Sequence, residues 1–97
     1  MANHENKDFD LQVEVLDVLL HKHVEAFYEN VRKQEPQWRS LGLPEIVGYY
    51  VRAAVRAGIF LNVKLEDIDK LSYGKIQWLG ELADDIVAEA MVVDVKN

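Results

Sequence analysis

Cysteine is absent from this chain of 97 residues. Its absence excludes disulfide frameworks, zinc fingers, iron–sulfur clusters and thiol catalysis. Serine is almost as scarce, since only Ser40 and Ser72 are present and neither lies in the Gly-x-Ser-x-Gly turn that exposes a catalytic serine. Glycine-rich phosphate-binding loops are missing as well. The sequence therefore predicts no catalytic residues, no cofactor and no enzymatic activity.

Long apolar runs are also missing. No stretch approaches the roughly 20 apolar residues that a membrane-spanning helix needs. The polar start of the chain is not followed by the apolar segment of a secretory signal. We therefore expect a cytoplasmic protein that does not contact a membrane.

Basic residues are outnumbered, with 11 lysines and arginines against 17 acids and a formal net charge of −6. This balance argues against direct binding of nucleic acid, which requires a basic surface to displace counterions. The 49% hydrophobic and 29% charged residues are typical of a globular protein. The length fits one domain, which we predict to cover residues 9–97 behind a flexible leader of residues 1–8.

The first predicted element is a long helix over residues 9–34, which ends before Pro36. Its apolar residues recur at steps of three and four, the period of one helix face. This stripe consists of Phe9, Val13, Leu16, Leu20, Val24, Phe27 and Val31. Residues 11–15 also alternate as a strand does, but that alternation lasts five residues whereas the helical stripe continues beyond it.

Two further helices are predicted, over residues 44–57 and 73–92. The first begins at Pro44 and ends at Ala57, and Gly58 follows it as the C′ residue of a Schellman motif that Ile59 completes. The second is capped by Ser72. Its predicted buried residues are Ile76, Leu79, Leu82, Ala83, Ile86, Ala90 and Val93.

The connections complete the predicted fold. Residues 65–69 are expected to form a short helical turn. Residues 59–63 are expected to form an extended connector, since no second strand is evident to pair with them. The predicted fold class is thus an all-α domain, a small bundle of three principal helices.

Acidic residues at helical spacing are the one pattern that suggests catalysis. Helical nucleotide pyrophosphohydrolases hold magnesium with acids from two helices. The last predicted helix and the first both offer such acids: Glu81, Asp84, Asp85 and Glu89, and Glu14, Asp17, Glu25 and Glu29. No basic set for phosphate recognition accompanies them, so we favour a solvated acidic face. His21 and His23 point to different sides of a helix, and we predict no metal site.

The partner-binding residues that we predict are Tyr49, Arg52 and Arg56 on one helical stripe, together with Trp38 in the preceding linker. Arginine and aromatic side chains often dominate the energy of protein interfaces. The alternative is that the two arginines pair within the chain. Their candidate partners are then Glu81, Asp85 and Glu89.

Residues 43–60, with the sequence LPEIVGYYVRAAVRAGIF, are followed by the acidic turn Glu66-Asp67-Ile68-Asp69. Leu71-Ser72 and a helix through Trp78-Leu79 lead to the end at Asn97. This pattern over residues 43–97 resembles small proteins encoded in the tail gene clusters of tailed bacteriophages and prophages, among them tail assembly chaperones. The resemblance implies a helical, acidic protein without catalytic residues. Such a protein binds the helical, apolar tape-measure protein in the bacterial host cytoplasm and is absent from the finished particle.

We therefore expect a non-enzymatic accessory factor that binds a helical apolar partner, such as the tape-measure protein. Two alternatives come from other functional classes. One is a small acidic phage or bacterial inhibitor that occupies a nucleic-acid-binding protein. The other is a magnesium-dependent, all-α nucleotide pyrophosphohydrolase. The sequence leaves the oligomeric state open, a homo-oligomer included.

Overall fold

In the computed structural model, the backbone is described for residues 2–96 and the side chains for residues 2–92. Over this part of the chain, two β-strands precede four α-helices. They are β1 (Ala2–Asn6), β2 (Leu11–Val15), α1 (His21–Gln34), α2 (Leu43–Arg56), α3 (Leu65–Ile68) and α4 (Tyr73–Lys96), with 3₁₀ turns at Lys7–Phe9 and Trp38–Ser40. The fold is mixed α and β, so the predicted all-α fold class is wrong.

The predicted helix over residues 9–34 is in fact a strand followed by a shorter helix. Val13 and Val15 are buried, whereas Gln12 before them is exposed and Glu14 between them is half-buried, which is the pattern of a strand with one face on the core. The side chains of β-branched valines pack well on such a surface. Leu20, a predicted core residue of the long helix, is instead 52% exposed ahead of α1.

The predicted flexible leader supplies the missing partner strand. Residues 2–6 form β1, and β1 pairs antiparallel with β2 in the register that runs from Ala2↔Val15 to Asn6↔Leu11. Asp10 adopts a left-handed conformation (φ 51°) in the turn between the two strands. Residue 1 of the predicted leader lies outside the described residues. Periodicity gave no sign of β1, because its sequence Ala-Asn-His-Glu-Asn carries no apolar alternation.

The other edge of β2 is covered by residues 59–62, within the predicted connector. The Leu61 N–H donates to the Glu14 carbonyl oxygen at 2.8 Å. The Asn62 side chain then imitates a strand backbone: its Oδ1 accepts from the Glu14 N–H at 2.8 Å, and its Nδ2 donates to the Gln12 carbonyl oxygen at 3.2 Å. Both edges of β2 are therefore hydrogen-bonded.

Local sequence signals set both ends of α2. At its start, the Glu45 carboxylate accepts from the Gly42 N–H at 2.6 Å, which satisfies a backbone donor at the N-terminus of the helix. At its end, Gly58 has φ 76°, and its N–H donates to the Val55 carbonyl oxygen. The Ile59 N–H donates to the Ala54 carbonyl oxygen, so the predicted Schellman motif is confirmed.

The longest helix, α4, begins after the predicted cap Ser72, whose carbonyl oxygen accepts from the Ile76 N–H at 3.0 Å. Leu79 and Ala83 are fully buried as predicted, and so is Val87, which the prediction missed. The other predicted core positions on α4, namely Ile76, Leu82, Ile86 and Ala90, are half-buried. Val93 lies outside the described side chains.

Candidate binding cleft

An open cleft of about 790 Å³ lies between the strands and the second half of α4. Ala2 and His4 of β1 line it on one side, and Ile86, Glu89 and Ala90 of α4 line it on the other. Residues 15–21, which lead from β2 into α1, complete the lining. The cleft is therefore built from three parts of the chain that are distant in sequence.

Large apolar side chains stand exposed in this cleft. Val18 is 69% exposed and Leu20 is 52% exposed, and both line the cleft. Met91 and Val92, which follow the cleft-lining Ala90 on α4, are exposed as well. Burying an apolar side chain of this size contributes about 1.5–3 kcal/mol, so the cleft presents apolar surface that favours association.

Residues 16–20 present these side chains because the segment is held at both ends without forming a regular element. At one end, the Leu16 N–H donates to the Ile59 carbonyl oxygen at 3.1 Å. At the other, the Leu20 N–H donates to His23 Nδ1 at 3.0 Å. Leu16 and Leu19 are half-buried between these anchors, whereas Val18 is directed to solvent. The apolar side chains are thus carried on a positioned backbone.

Polar side chains line part of the cleft. They are His4, Asp17, His21 and Glu89. His21 Nε2 lies 3.6 Å from a carboxylate oxygen of Glu25, one turn along α1. Among the described residues, no three histidines or acids are placed to hold a metal ion.

Arg52, a predicted binding residue, pairs within the chain. Its Nη2 lies 3.0 Å from Asp69 Oδ1, just after α3. Arg52 therefore pairs internally, which is the alternative to binding, but its acid comes from the α3–α4 connection instead of α4. Arg56, one turn further along α2, is exposed.

The two predicted aromatic binding residues lie on the α1–α2 side of the fold. Tyr49 is half-buried, and its carbonyl oxygen accepts from Gln34 Nε2 at 3.0 Å. Trp38 stacks on Tyr28 of α1, with ring centroids 5.5 Å apart. None of the four predicted binding residues lines the cleft, and their part in binding stays a prediction.

Replacing Arg52 by alanine should change stability only slightly. The partner Asp69 is 83% exposed at its side chain, and exposed ion pairs contribute about 0–1 kcal/mol to the free energy of unfolding. We expect urea unfolding of Arg52→Ala to match that of Arg56→Ala within this range. A larger loss for Arg52→Ala alone would show that the Asp69 pair holds α3 in place.

The predicted acidic face of α4 is not uniformly solvated. Asp85 and Glu89 are exposed, but Asp84 is half-buried. Burial raises the pKa of the Asp84 carboxyl, and the neighbouring Asp85 charge raises it further. Burial also raises the pKa of Tyr50 to about 12, with the Asp84 charge as the next cause. Asp84 is therefore coupled electrostatically to Tyr50 on α2.

Burial of Tyr50, with the Asp84 charge as a further cause, predicts a pH dependence above pH 10. The native pKa of Tyr50, about 12, lies above its ordinary value of 10.0, so the unfolded chain loses this proton first. The free energy of unfolding should fall as pH rises from about 10 towards 12. The Asp84 charge also adds to the burial that raises the pKa of Tyr28. Asp84→Asn should therefore lower the midpoint of the high-pH phase of a tyrosinate absorbance titration, to which Tyr28 and Tyr50 both contribute, while the Asp85→Asn control leaves it in place. An unchanged midpoint in Asp84→Asn would contradict the coupling.

Two of the four acids that the first predicted helix offered for a magnesium site do not lie on a helix. Glu14 lies in β2 and Asp17 in the segment that follows it, so their helical spacing is lost. Glu25 and Glu29 do lie on α1, where both are exposed. The pattern that suggested a pyrophosphohydrolase therefore loses Glu14 and Asp17, whereas Glu25 and Glu29 keep their helical spacing.

Sequence reasoning missed the cleft itself, although one signal for it was present. Four of the five residues at positions 16–20 are apolar, which is more than one helix face can bury. If these residues were helical, some of the four apolar side chains would lie outside the buried face. The contributions of Ala2, His4 and Ala90 depend on tertiary packing and had no comparable signal.

The chain matches no family model, and no curated protein or solved structure is similar to it at a significant level. Within the described residues, no helix combines the length and apolar character needed to cross a membrane.

Proposed function

We propose that this protein is a non-enzymatic binding domain that holds an apolar segment of a partner protein in the cleft. The observation that carries the proposal is the exposure of Val18 and Leu20 on a backbone segment that is hydrogen-bonded at both ends. A site that is formed before binding loses little conformational entropy when a partner associates. The apolar walls supply the favourable free energy.

The partner that best complements the cleft is apolar with basic flanks. Glu89 is an exposed acid of the cleft, and the whole chain has a net charge of −6. Opposite charge around an apolar centre accelerates association and selects among partners. The resemblance to tail assembly chaperones adds one candidate class, the apolar segments of a tape-measure protein.

A selection from short random peptides displayed on a carrier tests this function. We expect the full-length chain to enrich peptides that contain apolar residues. Enriched peptides should bind the double variant Val18→Ser/Leu20→Ser about tenfold more weakly or worse, because two exposed apolar contacts are lost. Both side chains are exposed, so the variant should fold normally.

Leu61→Ser is the matched control, because Leu61 is 43% exposed but does not line the cleft. Its peptide affinity should equal that of the unmodified chain in fluorescence polarisation. A selection without enrichment, or affinities that the cleft variant leaves unchanged, would contradict the proposed function.

A further inference from the structure

One edge of the two-stranded sheet is open. The backbone groups of Gln12 and Glu14 are bonded to residues 61 and 62, on the side of β2 away from β1. Backbone groups alternate in direction along a strand. In the observed register, Asn3 is opposite Glu14 and Glu5 is opposite Gln12. Opposite residues of an antiparallel pair direct their backbone groups either towards each other or both outward. Because those of Gln12 and Glu14 point away from β1, those of Asn3 and Glu5 point away from β2.

No backbone hydrogen bond from another described segment reaches this outer edge of β1. Unpaired N–H and C=O groups on an edge strand are a template for another extended chain. The opposite edge of the sheet offers no such template, because residues 59–62 cover it. Among the described strands, strand addition is therefore confined to β1.

The open edge adjoins the apolar cleft. Ala2 and His4 are paired with Val15 and Val13, so they share the inner face of the sheet with these buried valines. The same two residues, Ala2 and His4, line the cleft. A strand added beside β1 would extend this inner face, and its alternate side chains would enter the cleft.

We infer that the partner segment binds as an extended strand beside β1, with alternate apolar side chains in the cleft. This inference rests on the proposed function and specifies how the same site is used. In this mode of recognition, main-chain hydrogen bonds give affinity and alternate side chains give specificity. A basic residue of the partner opposite the exposed Glu5 would form a favourable cross-strand pair.

Two other occupants fit these observations less well. A second copy of β1 would offer the inward side chains of Ala2, His4 and Asn6, none of which is large and apolar. A partner helix bonds its own backbone groups internally and would leave those of Asn3 and Glu5 unused. An extended segment of another protein uses both the edge and the cleft.

The decisive substitution is Glu5→Pro. Proline lacks the N–H, and at this position the N–H points outward, so the β1–β2 ladder is retained. Glu5→Ala is the matched control, because it removes the same charge and keeps the N–H. For peptides from the selection described above, we expect Glu5→Pro to weaken affinity about tenfold or more and Glu5→Ala less than about threefold.

A second measurement leaves the protein unmodified. N-methylation of a peptide amide removes its N–H donor and blocks strand pairing at that residue. Every second amide of a bound strand would face β1, so we compare two peptides that are methylated at the odd or at the even positions. One of the two should lose binding. Amide exchange at Asn3 and Glu5 of the full chain should also slow in the complex. These results keep the test decisive if Glu5→Pro does not fold.

The outcomes separate this inference from the proposed function. Apolar residues at every second position of the enriched peptides, with sensitivity to Glu5→Pro, support strand addition. The enriched peptides could instead carry apolar residues at steps of three and four and lose affinity for Val18→Ser/Leu20→Ser but not for Glu5→Pro. That result would overturn strand addition and leave the proposed function standing. If neither Val18→Ser/Leu20→Ser nor Glu5→Pro weakens peptide binding, both the proposed function and strand addition are overturned. A peptide-free dimer that Glu5→Pro dissociates in sedimentation would identify a second copy as the occupant and overturn the inference.

Discussion

Gly80→Ala should lower the free energy of unfolding by about 2 kcal/mol. A Cβ at position 80 would lie 2.6 Å from Val47 Cβ and 2.8 Å from both Val47 Cα and its carbonyl oxygen. Because two of these atoms are backbone atoms of α2, relief requires a shift of the helix. Overpacking of this kind reaches about 3 kcal/mol or more, whereas alanine recovers only about 1 kcal/mol through its higher helix propensity.

Gly48→Ala is the matched control on the facing helix. A Cβ at position 48 would meet only Arg52 Nη1, at 3.3 Å, and the end of that side chain can move. We therefore expect Gly48→Ala to keep or raise the stability of the protein, by up to about 1 kcal/mol. Urea unfolding of both variants gives the comparison. Equal stability of the two would mean that α2 and α4 do not approach as closely as the structure shows.

The helix α2 shows what the sequence alone can predict. Pro44 and Glu45 define its start, and Gly58 with Ile59 defines its end. Each of these signals acts over three to five residues along the chain. Because no distant part of the fold is needed to satisfy them, the predicted bounds of 44–57 agree closely with the observed Leu43–Arg56.

The strand β2 shows where such reasoning fails. Its alternation over residues 11–15 competes with a longer helical stripe that passes through the same residues. Two partners outside the strand decide between the two structures. One is β1, which is close in sequence but carries no apolar alternation, and the other is the distant Asn62 side chain. Residue 62 is 48 positions from Glu14, so no local pattern reports the contact.

The candidate site was harder to predict than the fold, for the same reason. Residue type and spacing are visible in a sequence, and they favour Tyr49, Arg52 and Arg56 as binding residues. The pairing of Arg52 with Asp69 depends on where α3 packs. The cleft depends on which apolar residues the strands leave uncovered, so Val18 emerged as exposed only once the fold was known.

Leu79→Ala should be strongly destabilising. Leu79 is fully buried and belongs to the core, in the same cluster as Phe27 and Val51. Replacing a buried leucine by alanine costs about 2–5 kcal/mol, because transfer free energy is lost and a cavity remains. For a domain of this size, each kcal/mol corresponds to a decrease in Tm of about 4–8 °C. Urea unfolding and thermal melting measure the loss.

Leu16→Ala is the informative comparison, because the sequence places Leu16 and Leu79 on equally buried stripes. In the structure, Leu16 is half-buried and lines the open cleft, so its methyl groups already contact water in the native state. We expect Leu16→Ala to cost about 1 kcal/mol, well below the loss for Leu79→Ala. Equal losses would mean that Leu16 is covered in the free protein. The cleft would then be closed, and the unfilled apolar surface on which binding depends would not be available to a partner.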